Sequence, residues 1–158
     1  MEKLAQARIA RIGNRDFDLT RWGLDARADW RVTDALTAVF SAGTTTANGI
    51  ELTGLGAGQA KDWRYSFYQA RASWNRFFGQ VYLNASDAGD TYLLRNGAPI
   101  TDKSKLLVSQ LQHGFEMLDG RQNFTYGADY LHTNPVTDST INGWYEEDDQ
   151  TTELGAYL

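Results

Sequence analysis

Residues 21–32 read RWGLDARADWRV and alternate without a break: Arg21, Gly23, Asp25, Arg27, Asp29 and Arg31 take one parity, and Trp22, Leu24, Ala26, Ala28, Trp30 and Val32 take the other. A period of two, with charges on one face and an apolar stripe on the other, is the pattern of a β-strand separating two solvents. From Trp22 to Trp30 such a strand rises roughly 26 Å. Tilted by about 40°, it crosses about 20 Å, a little less than the apolar band that aromatic girdles flank in an outer-membrane barrel. A strand of an ordinary sandwich also alternates, but it rarely carries this density of charge on its wet face.

The same alternation recurs along the chain. It predicts strands near 20–32, 35–46, 63–74, 77–86, 106–118, 123–133 and 151–158, an all-β, antiparallel up-and-down meander of about seven strands forming a sector of a transmembrane barrel. Apolar positions include Leu36, Ala38, Phe40 and Ala42; Tyr68, Ala70, Ala72 and Trp74; Phe77, Gly79, Val81 and Leu83; Leu111, His113, Phe115 and Met117; Phe124, Tyr126, Ala128 and Tyr130; and Leu154, Ala156 and Leu158. From Trp63 through Phe67 to Tyr68 aromatics fall on both parities, and the face assignment there is weak.

Composition agrees with this reading. The 158 residues are 42% hydrophobic and 13% aromatic, with 15 Gly against 2 Pro. The mean hydropathy is −0.49, and no run approaches the roughly 18 consecutive apolar residues of a membrane helix. Alternation escapes that test, because a polar residue separates every pair of lipid-facing ones. With no cysteine there is no disulfide scaffold and no thiolate metal site. A net charge of −5, with bases interspersed among acids, argues against a nucleic-acid partner.

The connections are more telling than the strands. Short turns are expected at 33–34, 74–76 and 119–123, and long Gly- and Asp-rich loops at 46–62, 87–105 and 134–150. Short and long alternate strictly, as the periplasmic turns and external loops of outer-membrane barrels do. The strand ending at the first short turn then runs downward, so at least one strand is expected before residue 20. An odd count with two unpaired edges is also untenable in a membrane. The chain is therefore expected to be a piece of a larger barrel, with 19–158 as its barrel portion. Residues 1–18 form an undefined leading segment, a short helix or the end of a strand. It lacks the apolar core of a secretory signal, so either the protein is cytoplasmic or Met1 is not the natural start.

Three blocks carry a family likeness: GIELTGLGAGQAKDW (49–63), NASDAGDTYLLRNGAPITDKSKL (84–106) and TYGADYLHTNPVTDSTINGWYEEDDQTTELGAYL (125–158). They resemble the early barrel strands of TonB-dependent outer-membrane receptors, in particular those with a carboxypeptidase-regulatory-like domain ahead of the plug. The resemblance implies a plugged barrel of about 22 strands in the outer membrane of a Gram-negative-type cell. Such a barrel imports a siderophore, cobalamin, a glycan or a peptide with the TonB–ExbB–ExbD motor, needs no cofactor and is not an enzyme. The chain carries no TonB box and no plug, so the resemblance assigns plug, motor contact and remaining strands to the parent chain, with outer-membrane lipid as the other partner.

Candidate site residues follow from these faces. The interleaved charges of Arg21, Asp25, Arg27, Asp29 and Arg71 suggest a salt-bridged ladder lining the lumen, where a plug would dock. In the family, loop and upper-lumen residues bind ligand, which makes Trp63, Tyr65, Trp144 and Tyr145 the expected contacts through ring stacking. A ligand held between the loop at 46–62 and the acidic loop at 134–150 would be neutral or cationic with stackable rings. Glu146, Glu147, Asp148 and Asp149 are a weak calcium candidate; a solvated acidic loop is the commoner meaning, and the EF-hand spacing is missing. Residues 54–58 (GLGAG) only superficially resemble a phosphate loop. His113 and His132, the two histidines, fall on the apolar parity. Ser109, the nearest nucleophile to His113, stands about 13 Å away along an extended strand, out of hydrogen-bond reach. Two rivals remain: a passive or structural outer-membrane barrel, and a small soluble barrel with Trp22, Ala26 and Trp30 turned inward around a lipophile.

Overall fold

The computed structural model describes residues 15–158. Of the expected leading helix or strand end, residues 1–14 lie outside the described residues. The fold is a single antiparallel sheet built as a meander. In chain order the strands are β1 (Thr20–Arg31), β2 (Leu36–Thr53), β3 (Gly56–Trp74), β4 (Phe77–Asp87), β5 (Tyr92–Leu93), β6 (Lys105–Met117), β7 (Gln122–Asn134) and β8 (Thr151–Tyr157). The sheet order is β1-β2-β3-β4-β6-β7-β8, with β5 added on β3, and the sheet is open rather than closed on itself. Among the described residues the only helix is a short 3-10 turn, Glu146–Asp149.

Register makes the two faces continuous across all seven long strands. Residues directly opposite in an antiparallel pair share a face. Trp30 faces Ala38 and Ala28 faces Phe40; Ala38 faces Ala72 and Phe40 faces Ala70; Ala72 faces Gly79 and Ala70 faces Val81. Gly79 then faces Leu111, Leu111 faces Ala128 and Ala128 faces Ala156. One face is therefore apolar from edge to edge. Among the described residues nothing covers it: Trp30 and Leu111 are each 60% exposed.

The short turns are closed by local chemistry. Thr33 Oγ1 accepts the amides of Ala35 (3.2 Å) and Leu36 (3.0 Å). Asn75 (φ 49°) closes the β3–β4 turn, and Leu118, Asp119 and Gly120 all take positive φ in the β6–β7 turn. Asn, Asp and Gly tolerate that region best.

The long connections differ from expectation. Residues 46–62 are not a loop. β2 runs on to Thr53 and β3 starts at Gly56, so the segment is a hairpin extension whose tip is Gly54 and Leu55. Thr53 Oγ1 ties the tip by accepting the Leu55 amide (3.2 Å) and donating to the Gly56 carbonyl (2.8 Å). Gly-rich composition concealed a strand in which Gly58, Gln59 and Ala60 are all buried. The phosphate-loop likeness of 54–58 falls with it, since no helix follows. A bulge separates the extension from the sheet below: Asn48 faces both Lys61 and Asp62 between the pairs Ala47–Trp63 and Gly49–Ala60. Asp62 takes φ 58° there, and its amide donates to Asn48 Oδ1 (2.7 Å). Bulges bend a strand and increase its twist.

The 87–105 connection holds β5, which pairs with Gly58 and Gln59. Ala60, Ala88, Leu93, Leu94 and Ile100 are buried beside Gln59 and Thr91, forming the one compact apolar cluster of the described residues. Leu94 donates to the Ala57 carbonyl (2.9 Å) and Ile100 to that of Thr91 (2.9 Å). Lys103 donates to the Val136 carbonyl (2.7 Å), and Thr140 Oγ1 accepts the Thr101 amide (2.9 Å). These bonds tie the second long connection to the third. The three long connections share one end of the sheet and build a small cap there.

Candidate ligand and lipid surfaces

At the short-turn end of the apolar face, register gathers aromatics from neighbouring strands into a lateral belt. Trp74 stacks on Phe77 (6.1 Å between ring centres), Phe77 on His113 (4.0 Å), and His113 meets Tyr126 edge-on (5.3 Å). Phe115 stacks on Phe124 (5.2 Å). His113 Nδ1 lies 3.0 Å from the Tyr126 hydroxyl. Toward the other end the same face carries Trp22, Tyr68, Tyr130 and His132, with His132 Nδ1 2.9 Å from Thr152 Oγ1 and its ring stacked on Tyr130. Small and aliphatic side chains fill the space between: Ala26, Ala28, Ala42, Ala70, Val81, Leu111 and Ala128. Both histidines are members of the aromatic rows. Ser109 lies on the same face opposite Val81 and Tyr130, and no hydrogen bond joins it to His113.

The polar face holds all five residues of the expected charge ladder, but not as a ladder of cross-strand ion pairs. Arg27 clamps Asp29 two residues along its own strand, Nε to Oδ2 and Nη2 to Oδ1 both at 2.7 Å. Positions two apart on a strand share a face, and the forked guanidinium spans that spacing. Arg71 stands one strand beyond, opposite Val39, which is itself opposite Asp29. Arg21 and Asp25 enter no ion pair among the described residues. The cross-strand rungs are amides. Gln69 Nε2 donates to Gln80 Oε1 (3.3 Å), and Gln80 donates in turn to Gln110. Farther along, the Tyr157 hydroxyl donates to Gln112 Oε1 (3.3 Å). The glutamines stood in the sequence on the polar parity of three strands, but only register shows that they meet.

Higher on the polar face, Trp63, Tyr65 and Phe67 project together from β3. Tyr65 faces Thr45 and Phe67 faces Gly43, which resolves the ambiguous parity of this stretch: the break comes at Tyr68, on the apolar face. Trp63 stacks on Tyr65 (6.1 Å, 18° between planes) and donates from Nε1 to Ser86 Oγ (3.1 Å). Tyr65 and Phe67, with Asn84, Ser86, Leu106 and Thr133, border an open hollow of about 500 Å³. Gly43 is part of its construction, because a Cβ there would run into Asp25 Oδ1 and the Phe67 ring. Phe67 was missed as a site residue; its signal was the odd-parity run 63, 65, 67.

Trp144 and Tyr145 sit apart from this cluster, in the third long connection. Trp144 is 93% exposed. Both border a hollow of about 590 Å³ with Asn134, Val136, Asp138 and Gln150. Tyr65 thus borders one hollow, with Trp63 stacked on it, and Trp144 and Tyr145 border another.

The acidic run next to Tyr145 has a structural task. The Glu146 carboxylate accepts the amides of Thr137 and Ser139 (2.7 Å) and the Thr137 hydroxyl (2.9 Å). These donors, with the Ser139 amide foremost, hold Glu146 below the ordinary carboxylate range. Asp138 and Ser139 take positive φ (48° and 59°) to turn the loop around it. Among the described residues no three acidic or histidine side chains converge as a metal site, and Glu146 spends its oxygens on its own loop rather than on a cation. The side chains of Glu147 and Asp148 lie outside the described residues; Asp149 accepts from Thr151 Oγ1 through its carbonyl (3.5 Å).

No protein-family model, curated protein or solved structure matches this chain.

Proposed function

We propose that this chain is a sector of an outer-membrane β-barrel belonging to a ligand-gated, TonB-dependent importer. In that reading the apolar face meets lipid, the polar face lines the lumen, and the long connections are external. The observation that carries it is the uncovered apolar face, uninterrupted over seven strands and bordered by aromatic rows near both ends. Water would penalise such a surface heavily, whereas lipid is its natural solvent and interfacial aromatics its usual border. A passive barrel would share that face. The importer reading rests further on the family likeness and on the hollow of Tyr65 and Phe67 on the polar face. There, flat aromatic faces beside hydroxyl and amide groups suit a glycan or peptide better than a bare anionic chelate. The Gln69–Gln80–Gln110 rungs offer neutral hydrogen-bonding groups against which a plug can dock without stranding a charge.

Two measurements test the reading on the full protein that contains this segment. Single-Trp versions reconstituted in vesicles with brominated lipid are expected to show quenching for Trp30 and Trp74 and little for Trp63. A soluble barrel, with Trp22 and Trp30 inside, gives no quenching at either. Uptake of a bound glycan, peptide or siderophore is expected to stop when the TonB motor is deleted; uptake that persists without it would leave a passive channel.

A further inference from the structure

Beyond Tyr68 and His132 the apolar-parity face carries cations, with Arg64 in register with Trp22 through Thr46. Arg64 on β3 is opposite Thr46 and Asp87, and Lys105 on β6 is opposite Ala85 and Asn134. Both therefore continue the parity of the apolar face, Arg64 two same-face positions beyond Tyr68 and Lys105 one beyond Leu107. Lys103 joins them from the second long connection, where its amide is fixed to the Val136 carbonyl. Arg64, Lys103 and Lys105 border one open hollow of about 460 Å³ together with Tyr68, Asp87 and Asn134. The two ion pairs of the described residues lie elsewhere, at Arg27–Asp29 and Arg76–Glu116. Asp87 is the one acid in the hollow, and its Oδ1 accepts the Gly89 amide (3.1 Å). Three cations against one engaged carboxylate leave a net positive site. It stands on regular strands and a tethered loop, level with Trp22; on the membrane reading, interfacial aromatics mark where head groups begin.

We propose that this hollow binds the phosphate of a phosphorylated glycolipid in the outer leaflet. The inference rests on the membrane reading above. A solvent-facing lumen site for a soluble anion would sit on the other face of the sheet. Here the acyl chains of the same lipid run down past Tyr68 along the alanine-rich strip while the head group meets the three cations. Lys and Arg at an interface attract anionic lipid in this way, and the attraction is weakened by salt.

The test uses the full protein in nanodiscs of neutral phosphatidylcholine, doped either with a phosphorylated glycolipid or with its enzymatically dephosphorylated form, and counts retained glycolipid by native mass spectrometry. The expected result is preferential retention of the phosphorylated form. In R64Q/K103Q/K105Q that preference should fall by at least about tenfold, with retention of the dephosphorylated form unchanged. Millimolar inorganic phosphate should not displace the lipid. Equal retention of both forms, or an unchanged preference in the triple variant, overturns the proposal; displacement by inorganic phosphate alone would make this a phosphate-ion site and overturn the lipid assignment. Trp30 quenching by brominated lipid in the same preparation separates the two levels of failure. If Trp30 is quenched and the preference is absent, only the glycolipid site is wrong; if Trp30 is unquenched, the membrane reading falls and this proposal with it.

Discussion

The sheet below the Asn48 bulge and the cap above it solve the same chain's burial problem in opposite ways. Below, the side chains of the apolar face are exposed, and only Val39 and Val108, on the opposite face, are buried apolar residues. Leu111 is 60% exposed, and each strand is held by lateral pairing with its neighbours. Above, Ile100 is 3% and Ala88 1% exposed, and small apolar side chains close over β3 and β5 as in any water-soluble core. The bulge falls where an exposed apolar face gives way to a buried apolar cluster. On the membrane reading proposed above, the contrast teaches that two solvents act on one β-sheet.

That contrast can be broken from either side. The largest effect is expected in the cap: Ile100→Ala should cost about 2–5 kcal/mol of local stability, because a buried residue leaves a cavity. Faster amide exchange at Leu93, Leu94 and Thr91, with unchanged exchange in β6 and β7, would register it. On the membrane reading, Leu111→Ala should leave no comparable trace, because lipid would refill the space. Slightly smaller, on the same reading, is the penalty for Ala70→Arg, about 2–4 kcal/mol for a charge at mid-depth on a lipid face. Gln69→Arg, one residue along but on the polar face, should cost far less. Denaturant titration in vesicles measures both, and equal costs would abolish the distinction between the faces.

Two further changes sharpen the picture of the site. Gly43→Val should displace Phe67 and cost about 1–3 kcal/mol by overpacking; its diagnostic readout is weakened binding of whatever ligand Tyr65→Ala also weakens, with Trp144→Ala as the comparison. Least in energy is the pH response of Glu146. Its carboxyl is held below its ordinary 4.5, so it binds fewer protons folded than unfolded. Its stabilisation of the third loop is complete above that ordinary value and fades as pH falls through the lowered one. Trp144 fluorescence is expected to change on acidification below about pH 4.5 in the wild type and to have lost that transition in Glu146→Gln.

Much of this fold was legible in the sequence. Alternation along 21–32 alone assigns Trp22 through Trp30 to one face, and parity is a local property that survives whatever the strand pairs with. Seven long strands, their order as a meander and the gathering of long connections at one end were all readable for that reason. The failures cluster in the cap. Residues 46–62 and 87–105 look like loops because Gly, Ala and Thr carry little hydrophobic signal. They become strand and core only when Gly58 and Gln59 meet Tyr92 and Leu93 across more than thirty residues of chain.

The amino-acid sequence by itself determined which side chains share a face, since a strand has a period of two and needs no partner to express it. Only the tertiary structure decided what those faces contain. Register aligned Trp74, Phe77, His113 and Tyr126 into one belt and exchanged an expected charge ladder for Arg27–Asp29 and a row of glutamines. Register is a relation between distant segments, set by turns, bulges and packing together. No window of sequence holds it.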